Sequence, residues 1–84
     1  MNPAAITGWR QTALHCIRAA DWLDNVAAGR PVDDNGPIPL DLARNVPARL
    51  LHQWANNERA TAMNLRRTAN NLANNLANNR RTRP

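Results

Sequence analysis

Apolar and small residues recur three and four positions apart between residues 4 and 28, the spacing of one face of an α-helix. Pro3 precedes this stretch, where proline is tolerated at a helix start, and Gly29 with Pro31 provides a stop. The pattern predicts a first helix over residues 4–28. Its core-facing positions are Ile6, Trp9, Ala13, Cys16, Ala20, Leu23 and Ala27.

Three Pro and two Gly interrupt the helical pattern between residues 29 and 39. This density of helix and strand breakers is incompatible with regular structure. Residues 40–45 are expected to form one short helical turn, with Asp41 near its start. We therefore predict a linker over residues 29–46.

A second, longer apolar pattern begins near Pro47, and neither Gly nor Pro interrupts it before Pro84. The apolar positions alternate four and three residues apart, which is a heptad spacing with one polar member, Glu58. We predict a long helix over residues 47–79 and a basic tail over residues 80–84. The seam is Leu51, Ala55, Glu58, Ala62, Leu65, Ala69, Leu72 and Leu76. The expected fold is all-α, an antiparallel helical hairpin in a single domain.

The predicted helices differ in length by about eight residues, so pairing from the linker outward leaves residues 72–79 uncovered. This segment is rich in Asn, a poor helix former, and contains Leu72 and Leu76. A helix there is expected to need a second chain, since isolated helices are marginal in water. The predicted association interface is Leu65, Leu72, Leu76 and Trp22.

The three Trp residues have different predicted environments. Trp9 lies on the seam of the first helix and is expected in the core, and Trp54 is expected to pack against the first helix. Trp22 lies off the seam, and two interpretations are open. It either covers the linker or anchors a partner, because exposed Trp is a frequent interface anchor.

The chain has 11 basic residues, all Arg, and a net charge of +5. Seven Arg against Glu58 give residues 47–84 a charge of +6. One interpretation is a solvated face with some Arg paired to Asp21 and Asp24 across the hairpin. The other is contact with an anionic partner, nucleic acid phosphates first and an acidic protein surface second. The candidate anion-binding residues are Arg59, Arg66, Arg67, Arg80, Arg81 and Arg83.

The sequence offers no arrangement typical of catalysis. His15 and His52 lie on different elements, and no pair of His or Cys has metal-ligand spacing. There is no Gly-rich phosphate loop. We expect no enzyme, catalytic residue, cofactor, metal site or small-molecule substrate.

The expected location is intracellular, in the cytoplasm or in a virion. The single Cys16 favours a reducing setting. No apolar run is long enough to span a bilayer, and the N-terminus does not follow the order of a secretory signal, so no membrane contact or secretion is predicted.

Residues 46–59, VPARLLHQWANNER, resemble the turn and second helix of repressor-like and excisionase-like helix-turn-helix domains. The resemblance implies that Ala48, Arg49 and His52 face the DNA major groove. The chain departs from the family pattern in two places. Only residues 42–44 remain for the preceding helix, and no Gly follows Trp54.

These observations favour a non-enzymatic interaction or assembly protein. Its long Arg-rich helix would mediate self-association or docking to an anionic partner. The partner is expected to be a protein, a second copy of this chain or a nucleic acid. The composition suits a phage or mobile-element product such as a virion component. The alternative is a DNA-binding regulator that uses residues 40–59, with Arg49 and His52 reading the DNA.

Overall fold

Over residues 3–82 the chain forms a helical hairpin, as predicted, with two long helices and one short helix. The computed structural model describes the backbone of residues 3–82 and the side chains of residues 4–78. Helix α1 spans Pro3–Ala27, the short helix α2 spans Leu40–Arg44, and α3 spans Ala48–Thr82. Helices α1 and α3 pack against each other along a molecule of 60 × 20 × 15 Å.

The helix ends lie close to the predicted positions, with one difference at the end of α3. Gly29 has a positive φ of 72° and ends α1, because glycine adopts this left-handed conformation without strain. The N–H of the following Arg30 donates to the carbonyl of Asn25 at 2.8 Å. Helix α3 continues to Thr82, so the predicted basic tail at residues 80–84 was wrong for residues 80–82.

Larger apolar side chains form a core at the linker end of the hairpin. Val26, Val32, Ile38, Leu40 and Val46 pack around its buried members. Beyond this core, small residues line the contact between α1 and α3, and they allow the helix axes to approach closely. The buried core cluster is Ala20, Trp22, Leu23, Ala43, Leu51 and Ala55. The buried residues farther along are Ile6, Ala13, Ala62 and Ala69.

The structure decides between the two interpretations of Trp22. Its side chain is buried, with 7% exposed, and its indole N–H donates to the carbonyl of Asp33 at 2.8 Å. Gly36 lies against the indole so closely that a Cβ at residue 36 would collide with it. Trp22 therefore holds the linker onto α1, and its placement in the association interface was wrong.

The other two Trp side chains lie nearer the surface. Trp54 is half-buried beside the core, and its indole N–H donates to Glu58 Oε1 at 3.1 Å. Trp9 is 39% exposed, so its predicted core position was wrong. The buried contact between α1 and α3 outside the core is made mainly by small side chains such as Ala13 and Ala69, which indicates closely spaced helices with little room for an indole.

The pairing of α1 with α3 extends into residues 72–79, the segment that was predicted to be an uncovered overhang. Arg10 donates to the side chain of Asn70, and extending this antiparallel pairing by four residues places Ile6 opposite Asn74. Ile6 is buried, and Leu72 and Leu76 are half-buried. The first turn of α3 extends past the C-terminal end of α1. The N-terminal part of α1 therefore reaches residues of α3 that would be uncovered if α1 ended level with the start of α3.

Candidate anion-binding surface

One of the predicted anion-binding residues, Arg59, is paired inside the hairpin. Arg59 donates to Asp21 at 3.2 Å and also to Asp24 on α1. The imidazole Nδ1 of His52 lies 2.8 Å from Asp24 Oδ1, with the nitrogen as donor because a carboxylate only accepts. The interpretation that some Arg pair with Asp21 and Asp24 is confirmed for Arg59. This cluster occupies one side of the contact between α1 and α3.

The ion pairs shift the pKa of their members. Partial burial raises the pKa of Asp24, but the hydrogen bonds from His52 and Arg59 lower it by more, and the net pKa lies below its usual 3.8. The hydrogen bonds to Asp24 and Asp21 raise the pKa of Arg59. The carboxylate of Asp24 is therefore ionised throughout the neutral range.

The lowered pKa of Asp24 predicts a loss of stability in acid. A carboxyl group with a depressed folded-state pKa stabilises the fold above its unfolded value, and this contribution disappears as pH falls through the folded pKa. Between about pH 5 and pH 3, the wild-type free energy of unfolding should fall by up to about 1 kcal/mol more than that of Asp24→Asn. Urea unfolding followed by Trp fluorescence measures this difference.

The matched control is Asp34→Asn, a change at an exposed carboxylate in the linker. Its free energy of unfolding should keep the wild-type dependence on pH. An Asp24→Asn variant that loses as much stability in acid as the wild type would contradict the role assigned to this cluster.

Folding separates the charges along the hairpin. Residues 3–20 and 60–82, which we call the acid-free half, contain six Arg and no acidic residue. Residues 21–59, the linker half, contain six acidic residues and four Arg, for a net charge of −2. The two acid-free segments are far apart in sequence, but the antiparallel pairing brings them to the same end.

The acid-free half presents its Arg side chains to solvent where they are described. Arg66 and Arg67 on α3 are exposed, as are Arg10 and Arg18 on α1. Arg10 donates to Asn70 Oδ1 at 3.3 Å and so lies at the contact between the helices. The remaining predicted residues lie outside the described side chains. They are Arg80, Arg81 and Arg83.

The sequence identified the basic residues of α3 but missed those of α1. Arg10 and Arg18 complete the acid-free half, although residues 1–29 taken alone carry no net charge. The available signal was the position of the acids, since residues 1–20 contain none and Asp21 and Asp24 come immediately afterwards. Arranging these residues in an antiparallel hairpin would have placed both Arg at the basic end.

The residues of the helix-turn-helix resemblance lie in the linker half. Arg49 is exposed in the first turn of α3, and His52 is bound to Asp24. The preceding α2 has five residues, and α3 does not end after Trp54 but continues to Thr82. The architecture around Arg49 and His52 therefore differs from the short paired helices that the resemblance implies.

Within the residues that the structure describes, no three His, Cys, Asp or Glu side chains gather where a metal ion could be held. No polar side chain of this part of the chain is buried. Burial and a hydrogen bond with Glu58 raise the pKa of the Cys16 thiol, which favours the protonated form. Neither long helix, over residues 3–82, has a stretch apolar enough to cross a membrane.

Comparison of the chain with known protein families, curated proteins and solved structures gives no match. The feature that stands out is the separation of charge between the acid-free half and the linker half.

Proposed function

We propose that this chain is a non-enzymatic interaction protein that docks its acid-free half onto a polyanion, with nucleic acid phosphates as the first candidate. The observation that carries the proposal is the collection of six Arg and no acid at one end of the hairpin. Arg suits this role because its guanidinium forks to phosphate through two donors. A small protein that packs against nucleic acid in a virion is one form this role would take.

The charge separation matters because it prevents internal neutralisation. Arg59 has Asp21 and Asp24 within reach, whereas the acid-free half has no carboxylate to offer Arg66 or Arg67. Charges of one sign that are gathered on one surface add to a field that attracts an anionic partner. A nucleic acid would supply the missing negative charge and release its counterions on binding.

Removing Arg from the acid-free half should weaken binding to duplex DNA. We expect Arg66→Gln with Arg67→Gln to reduce the slope of log K against log salt by about 1–2, because each phosphate contact contributes about 0.9. Affinity at low salt should fall at least tenfold. The measurement is fluorescence anisotropy with a labelled duplex of random sequence at several salt concentrations.

The matched control is Arg44→Gln with Arg49→Gln, which removes the same charge from exposed positions in the linker half. This variant should keep most of the wild-type affinity and slope. Equal losses in the two variants would show that net charge alone, and not the acid-free half, drives binding. If the wild-type chain does not bind duplex DNA but binds polyglutamate, the partner is an acidic protein surface and not a nucleic acid.

A further inference from the structure

An uncharged strip runs along one side of α3, and we call it the lateral strip. At about 100° per residue, its members lie within roughly 60° of one another around the helix axis. They are turned by about 85° from the buried seam of Leu51, Ala55, Ala62 and Ala69. The strip consists of Leu50, Trp54, Thr61, Leu65, Thr68 and Leu72.

The lateral strip is only partly covered by its own chain. Leu50 is 41% exposed and Thr61 is exposed, while Trp54, Leu65 and Leu72 are half-buried. With a rise of about 1.5 Å per residue, the strip is roughly 33 Å long. The contact between α1 and α3 is made by closely packed Ala side chains, so the larger side chains of the lateral strip lie at its edge. The ion pairs of Asp24 occupy the opposite edge.

We propose that a second copy of this chain packs antiparallel along the lateral strip, so that two hairpins form a four-helix bundle. Thr61 is the midpoint of the strip, and a two-fold axis there would place Leu50 of one copy opposite Leu72 of the other. The same axis pairs the large Trp54 with the small Thr68. A two-fold interface uses one patch on both subunits, so self-complementarity of this kind is what it requires.

The charge distribution selects the antiparallel orientation. This arrangement sets the acid-free half of each copy beside the linker half of the other, +6 against −2. A parallel dimer would bring two acid-free halves together, and their charges would repel. Positive charge still exceeds negative charge at each end of the antiparallel dimer, so polyanion binding and dimerisation are compatible. The dimer does not depend on the proposed polyanion function.

The dimer is tested by mass and by cysteine cross-linking in a Cys16→Ala background. Sedimentation equilibrium at submillimolar concentration should give twice the mass of the chain, and Leu72→Asn should weaken the association at least tenfold. Under mild oxidation, Thr61→Cys should form a disulfide-linked dimer through the two-fold axis. Thr68→Cys should not, because the antiparallel arrangement places it opposite Trp54.

A third cysteine variant controls for the side of the helix. Met63 is 63% exposed and lies about 170–180° from the centre of the lateral strip, so Met63→Cys should not cross-link. A monomeric wild-type chain would overturn the proposal. Cross-linking of Thr68→Cys as readily as Thr61→Cys would show a parallel dimer, and preferential cross-linking of Met63→Cys would place the interface on another face. Either result would also overturn it.

Discussion

Replacing Trp22 with Ala is expected to lower the free energy of unfolding by about 3–5 kcal/mol, the usual cost of truncating a buried aromatic side chain. A chain of this length has a total stability of about 4–13 kcal/mol, so this loss removes roughly a quarter of it or more. The cost is high because the indole both fills the core and binds the carbonyl of Asp33. Losing it leaves the linker, including Gly36, without the surface on which it packs.

The control for Trp22 lies on the same helix. Trp9 is 39% exposed, so Trp9→Ala should cost less than half as much. Urea unfolding followed by circular dichroism measures both variants, with the fluorescence of the two remaining Trp side chains as a second probe. Equal losses in the two variants would contradict the assignment of Trp22 as the residue that joins α1 to the linker.

The helices were predictable because local signals agree with the packed structure. Uninterrupted periodicity defines α1 and α3, and Gly29 ends α1 within one residue of the predicted position. The predicted end of α3 lies three residues too early, because residues 80–84 were assigned to a basic tail although neither Gly nor Pro interrupts the helical pattern before Pro84. Ala and Arg are good helix formers and continue the helix through the Asn-rich segment to Thr82.

The positions of Trp9 and Trp22 were not predictable from periodicity, whereas Trp54 packs against the core as expected. A helical pattern identifies the direction of the seam but not the distance between the helices. Ala13 and Ala69 make that distance short, and Trp9 is displaced to the edge. Trp22 lies off the seam but becomes buried, because the irregular linker folds back over it. No periodic signal describes the path of such a linker.

The acid-free half was predictable only in part, because it depends on how the two helices pair. The separate sequence patterns of the helices showed the Arg excess of α3 but not its continuation on α1. The antiparallel register joins the two, and the contact of Arg59 with Asp21 is an example of the pairing that this register produces. The sequence predicted that some Arg pair with Asp21 and Asp24 across the hairpin, and the structure shows that Arg59 does so.

Replacing Ala62 with Leu is expected to destabilise the hairpin by about 1–3 kcal/mol, because the side chain must enter a closely packed contact. Ala62 is 1% exposed and lies midway along α3, with Ala55 and Ala69 one heptad away on either side. Leu is more hydrophobic than Ala, so a loosely packed core would gain stability from the change. The expected loss follows from small residues that hold the two helices too close together for a larger side chain.

Ala60→Leu is the matched control for Ala62→Leu, because it makes the same substitution in the same helix at an exposed position. The two variants have the same change in helix propensity, so their difference reports packing between α1 and α3 alone. The control should change the free energy of unfolding by no more than about 0.5 kcal/mol. Urea unfolding measures both variants. An Ala62→Leu variant as stable as the control would mean that the helices can separate at little cost, and that small residues do not set their spacing.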